Sequence, residues 1–212
     1  MITIADHALS RLVAQTKPHM GEKSDVEAVQ NITFEYERGV LYAIATNRFT
    51  LAVSRTQVTG GDDQPWSAIV HRGQVPELEA AIRLLDAKPV TLERSGDQLI
   101  LSGESGSRIA IGLSPFAKLS FDWRTVMLAA IERPASDAQM AMTPKFFGAW
   151  KNLPGPVQMW STGEGKPTLI VAADFLGAQM PVRRDGEDDT LRRELDAWLA
   201  ARREEPAQPA AA

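Results

Sequence analysis

One order of elements recurs along this chain and restricts what it can fold into: an amphipathic helix followed by alternating strands, met about three times. In the first round, residues 4–17 predict a helix, because Ala5, Ala8, Leu9, Leu12 and Val13 recur at helical spacing and Thr3 with Asp6 is placed as a capping box. The period then changes to two. Ile32, Phe34 and Tyr36 alternate with polar residues, Arg38-Gly39 supplies a turn, and LYAIA and FTLAVSR continue as strands. In the second round SAIV is a short strand, Val75, Leu78, Ala81, Ile82 and Leu85 line a helix, and VTLER, QLILSG and SRIAIGL follow as strands. The third begins near Gln139: Thr143-Pro144 starts a helix, Phe146 or Phe147 with Trp150 and Leu153 forms its apolar face, and VQMWS, TLIVAA and GAQMPV are strand-like.

A unit of this size cannot bury both its helix and its sheet face alone. Neighbouring units are therefore expected to join sheets edge to edge and share a core, an α+β architecture with helices on one face of antiparallel sheets. Residues 114–138 link the second and third rounds and look less regular, with Pro115 and Pro134 present and Phe116, Phe121 and Trp123 as anchors. Residues 184–203 read as an amphipathic helix with Leu191, Leu195, Trp198 and Leu199 as an interaction stripe, and 204–212 as a disordered terminus.

The residue inventory excludes whole branches of chemistry. The chain has no cysteine, which rules out Cys-based metal, thiol and disulfide chemistry. Its three histidines, His7, His19 and His71, fall in no tight ligand spacing and read as packing residues. Gly103–Gly106 and Gly163–Lys166 are turns rather than phosphate loops, since neither completes a nucleotide-binding pattern and Pro167 follows Lys166. No nucleophile elbow or paired carboxylate stands out. The reading is a non-enzyme with no cofactor and no metal. No stretch approaches the roughly 20 apolar residues of a membrane span, and MITIADHALSRL lacks a basic leader, so a soluble cytoplasmic protein with no membrane partner is expected.

Net charge is −4, and residues 184–212 hold 5 basic and 8 acidic side chains, which leaves a near-neutral body. Any affinity for a polyanion must come from a local surface. Arg11 and Lys17 on the first helix, Arg72 and Arg83 around the second, and Lys145 and Lys151 on the third could collect on one layer and touch a phosphate backbone without reading bases, although Glu77 and Glu79 interrupt that layer.

Three local sequences carry a family resemblance. Thr46 to Arg55, TNRFTLAVSR, resembles the strand of bacterial DNA polymerase III beta sliding clamps that usually runs Thr-Asp-Gly-His-Arg-Leu-Ala. Lys166 to Arg183, KPTLIVAADFLGAQMPVR, resembles their end, and Leu119 to Met127, LSFDWRTVM, is similar to their Phe-Pro-Asp-Tyr interdomain segment. The resemblance implies a processivity fold in shortened form: residues 1–118 as a complete clamp-like domain, 119–137 as the interdomain segment, and 138–183 as half a domain.

It further implies a peptide-binding groove formed by Thr46, Leu51, Met127, Met180 and Pro181, with partners that are clamp-binding peptides of DNA polymerase or other replication and repair proteins. Helices around a channel imply duplex DNA as a partner, and closing a ring from a shortened chain implies a homo-oligomer. This chain departs from the pattern at Arg48-Phe49-Thr50, where the family reads Gly-His-Arg. Beside the processivity-factor reading stand a non-ring peptide-binding regulatory or adaptor module and, more distantly, an unrelated α+β enzyme.

Overall fold

Ile2 and Ile4 alternate with Thr3, and that is enough to make residues Ile2–Ile4 a strand, β1, in place of the start of the expected helix. Both isoleucines are fully buried. The helix α1 spans Ala8–Thr16, its N-cap is His7 in the left-handed region (φ 59°), and the Thr3–Asp6 capping box does not form. The computed structural model describes residues 1–61, 64–85, 87–114, 121–136 and 142–182. The tail stripe of Leu191, Leu195, Trp198 and Leu199 and the disordered terminus lie outside the described residues, as do Pro115 and Phe116.

The alternating segments form strands where expected. β2 (Asn31–Glu37) and β3 (Val40–Thr46) join through Arg38 and Gly39, whose φ values of 49° and 76° suit the tight hairpin turn that a right-twisted pair prefers. β4 is Thr50–Thr59, β5 is Trp66–His71 and α2 is Val75–Leu85. β6 (Val90–Ser95), β7 (Gln98–Gly103) and β8 (Arg108–Gly112) complete the second round.

The link between rounds is more regular than its sequence suggests, because it contains a helix, α3, at Trp123–Ile131. The Asp122 carboxylate caps it, accepting from the amides of Arg124 (3.0 Å) and Thr125 (3.4 Å) and from the Thr125 hydroxyl (2.7 Å). The Thr125 hydroxyl first, then the two amides and the Arg124 charge, hold the Asp122 carboxyl below its ordinary value. Asp122→Ala is expected to fray the first turn, seen as amide exchange at Arg124 and Thr125 roughly several-fold faster, while Asp122→Asn leaves it slow. Equal exchange in all three proteins would show that the cap does not hold the helix. The third round follows with α4 (Pro144–Phe147), a 3-10 turn (Gly148–Asn152), and strands β9 (Gln158–Ser161), β10 (Thr168–Ala172) and β11 (Phe175–Gln179).

The eleven described strands run antiparallel in the order β5-β2-β3-β4-β1-β6-β7-β8, with β11, β10 and β9 branching from β4. Rounds one and two exchange their first strands: β1 pairs with β6, and β5 pairs with β2. Their common core, with Leu9, Leu12, Phe34, Leu78, Leu92 and Leu101 among its members, therefore belongs to neither alone. β4 serves two partners along one edge. Thr50–Ser54 pair with β11, and Val58–Thr59 pair with β1. Leu51 and Val53 face α3, while Ala52 faces Trp150 and Ser54 meets Gln15 of α1, so α3 lies on the sheet face opposite α1.

Candidate functional site

The turn between β3 and β4 is built from side chains that replace missing ladder bonds. The Asn47 carboxamide oxygen accepts from the amides of Phe49 (3.0 Å) and Thr50 (2.8 Å), an arrangement Asn supplies readily in tight turns. Arg48 is held at φ 74°, a left-handed conformation that glycine adopts without cost, and its guanidinium donates to Asp25 at 3.1 Å. Phe49 is thereby left 51% exposed and stacked on Phe146, ring centroids 5.5 Å apart.

Thr46 and Leu51 are cross-strand partners, and Leu51 pairs in turn with Ala178 of β11. Thr46 is buried, with its hydroxyl donating to the Thr50 carbonyl (2.7 Å) and accepting from the Arg48 amide (3.1 Å). Leu51 and Met127 sit in one apolar cluster with Ile44, Val53, Leu169 and Ala178, at 6% and 1% exposure. Met180 is 41% exposed, its amide donates to the Phe49 carbonyl at 2.8 Å, and Pro181 is half-buried beside it. The expected groove residues thus gather at one end of one sheet face, with α3 laid over Leu51 and only Met180 and Pro181 offering substantial surface.

The helix that covers this face is anchored at its start. Glu35 of β2 accepts from the Trp123 indole (3.0 Å) and from Arg124 (2.7 Å), and Arg124 reaches Glu37 at 3.3 Å. The same guanidinium lies 4.4 Å from the Trp123 ring centroid and 5.2 Å from that of Tyr42. Sequence reasoning missed this clamp, and the signal was there: Asp122 with Thr125, then Trp123, Met127 and Ala130 at helical spacing.

On the opposite face, a cavity of about 570 Å³ is lined by Lys17, Arg72, Lys145 and Lys151, together with Glu22 and Glu79. Four of the six expected cations therefore meet there. Arg11 instead donates to the Arg55 carbonyl (3.1 Å), and Arg83 is exposed on α2 away from the cavity. Two of the four are neutralised in place, Lys17 by Glu79 at 2.6 Å and Lys145 by Glu22, whose hydrogen bond raises the lysine pKa. Arg72 donates to the Gly21 carbonyl at 2.6 Å.

Between the two faces lies a buried polar joint. His19 is fully buried, its Nδ1 lies 3.0 Å from the Thr50 hydroxyl, and its ring packs against that of Trp150, centroids 4.0 Å apart at a tilt of 40°. Burial lowers its pKa to about 3, opposed only in part by the Ala149 backbone, toward which Nε2 makes no well-formed hydrogen bond. The Trp150 indole donates to Gln179 at 2.6 Å. His7 stands at the N-cap position of α1 with no side-chain capping bond, and His71 accepts from the Gly73 amide at 3.2 Å. Among the described residues no three His, Asp or Glu side chains converge as metal ligands, and no helix is long and apolar enough to cross a membrane.

No protein-family model and no curated protein matches the sequence. Solved structures do. The DNA polymerase III beta subunit from Thermotoga maritima is similar over 90% of this chain and 66% of its own, with a TM-score of 0.67 at 14% identity. A sliding clamp from Pseudomonas aeruginosa is similar over 86% of this chain and 66% of its own (TM-score 0.66, 13% identity), and one from Bacillus subtilis over 86% and 64% (0.64, 15%). At such identities the likeness speaks for the fold: the chain has the α+β fold of DNA polymerase III beta sliding clamps, in a form that spans about two thirds of their length.

Proposed function

We propose that this chain is a non-catalytic clamp-like protein of DNA replication or repair, acting in the cytoplasm by capturing peptides from a DNA polymerase or related proteins. The observation that carries the reading is the likeness to sliding clamps over 86–90% of the chain. In this reading residues 1–118 act as a complete domain, 119–137 as the connecting segment and 138–183 as a half-domain, joined in one sheet where β11 pairs with β4. Phe49, Met180 and Pro181 would receive an apolar anchor of the peptide, with Thr46, Leu51 and Met127 as the floor beneath.

Met180→Asp tests the groove. Its side chain is exposed enough to leave the fold intact, and a carboxylate there is expected to weaken capture of a clamp-binding peptide at least about fivefold. Affinity equal to that of the parent in a titration would remove the groove from this face. Leu51→Asp is unsuitable, because it would bury an unpaired charge.

Ring closure is tested by absolute mass in solution, with and without circular duplex DNA. A discrete oligomer retained on circles and lost from linear ends supports a processivity factor. The adaptor reading is favoured by one observation: carboxylates already hold Lys17 and Lys145, which halves the positive charge that the cavity offers a polyanion and leaves it to Arg72 and Lys151. A protein that captures peptide and ignores both DNA forms supports the adaptor.

A further inference from the structure

The second round ends in a strand, β8, whose outer edge pairs with no other strand along Arg108–Gly112 among the described residues. The Gly103 amide donates to the Ser107 carbonyl (3.0 Å) and the Leu113 amide to Asp97 (2.8 Å), so the odd-numbered residues of β8 face β7. Antiparallel alternation then aims the N–H and C=O groups of Arg108, Ala110 and Gly112 away from the sheet. Ser114, next in that outward series, donates to the Ile69 carbonyl of β5 at 2.7 Å. β8 is therefore forked as β4 is, with its end turned to the first strand of its own round. In β4 the other branch is filled by β11. In β8, among the described residues, no strand pairs with Arg108–Gly112 on that side.

Folded proteins blunt such edges with proline, bulges or inward charges. RIAIG has none of these except Arg108, at one end and drawn back over its own sheet toward Glu93, 3.6 Å away. We propose that β8 is a homodimerisation strand, pairing antiparallel with β8 of a second copy about a two-fold axis through Ala110. The segment is complementary to itself in this register. Ala110 meets Ala110 of the other copy, Arg108 meets Gly112, and Ile109 meets Ile111, so no like charges are opposed. The outward N–H and C=O groups of Arg108, Ala110 and Gly112 all find partners, and the half-covered Ile109 beside the core gains cover. A two-fold contact uses one patch on both subunits and closes on itself, so this association needs neither DNA nor a ring.

The test is absolute mass by light scattering of the full chain from about 1 to about 500 µM, the range where a small interface dissociates. The parent is expected to rise from 23.2 kDa toward twice that mass. Ala110→Pro deletes the outward amide without touching the β7 ladder, and Ala110→Lys opposes two ammonium groups across the axis. Each is expected to weaken the dimer at least about tenfold while leaving the circular dichroism spectrum unchanged. Because the chain has no cysteine, Ala110→Cys reports the axis directly: it should cross-link on oxidation, and Gln57→Cys, exposed on β4, should not. A parent that stays monomeric, a dimer that survives both Ala110→Pro and Ala110→Lys, or no cross-link from Ala110→Cys overturns the proposal. Dimerisation only after removal of residues 183–212 overturns it too, by placing the chain's own tail on the edge.

Discussion

Replacing Trp150 with alanine is expected to lower the free energy of unfolding by about 3–5 kcal/mol, among the largest effects of any single truncation in residues 1–182. The indole is buried against Ala52, Ile170 and Phe175, and its loss opens a cavity between β4 and the third round. It also strands Gln179, whose amide nitrogen already lacks a partner, and removes the ring against which His19 packs. The close fit makes a sharper test available. A Cβ at Gly177 would stand 2.6 Å from the Trp150 ring and 2.9 Å from that of Phe175, so Gly177→Ala should destabilise the parent and cost less in the Trp150→Ala background, where Phe175 has room to shift. Strictly additive losses in urea titrations of the two single variants and the pair would show that the contact is not the source of the cost.

The second large effect is a loss of stability in acid. His19 has a pKa of about 3 in the folded protein against an ordinary 6.5 in the unfolded chain. Above pH 6.5 the ring is neutral in both states and stability is at its full value. Below it the unfolded chain takes up a proton that the folded protein refuses, and stability falls by roughly 1.4 kcal/mol per pH unit, on the order of 4 kcal/mol by pH 3.5. The slope ends near pH 3, where the folded state also protonates. The groups that meet the ring, the Thr50 hydroxyl, Trp150, Phe175 and the Ala149 backbone, bring no negative charge to hold an imidazolium. His19→Gln keeps a polar group for Thr50 and should flatten the stability curve from pH 6.5 to 4, so that the difference between parent and variant changes with pH over that window. Parallel curves over that window would remove His19 as the cause.

Local periodicity made much of this fold legible. Ile32, Phe34 and Tyr36 alternate because one side of β2 meets the core, and Arg38-Gly39 is a turn because both residues are held at positive φ. β1 escaped notice because three residues carry too little alternation to outweigh the helical spacing that follows. α3 was hidden by a different cause. Pro115 and Pro134 made the connection look irregular, whereas the residues between Asp122 and Glu132 are all helix-compatible, and the helix runs to Ile131.

That helix shapes the candidate groove. The resemblance brought Thr46 and Leu51 together, and they are cross-strand partners of β3 and β4, but only the tertiary position of α3 determines that Leu51 and Met127 are core while Met180 is surface. The same holds for the cations. Their spacing along three helices could be read, whereas their partners Glu79 and Glu22 come from distant segments and take away charge that the sequence seemed to offer.

The exchange of first strands between the first two rounds governs the order in which the molecule can assemble. Residues Ile2–Ile4 need Val58 and Thr59 on one side and Val90 to Leu92 on the other, so their ladder closes only after some ninety residues have emerged during synthesis. Until then Ile2 and Ile4 are exposed apolar groups on an unpaired segment, and closing so long a loop is slow compared with forming the β2–β3 hairpin. The hairpin is thus the natural place for folding to begin, and the earliest strand of this chain is among the last to find its neighbours.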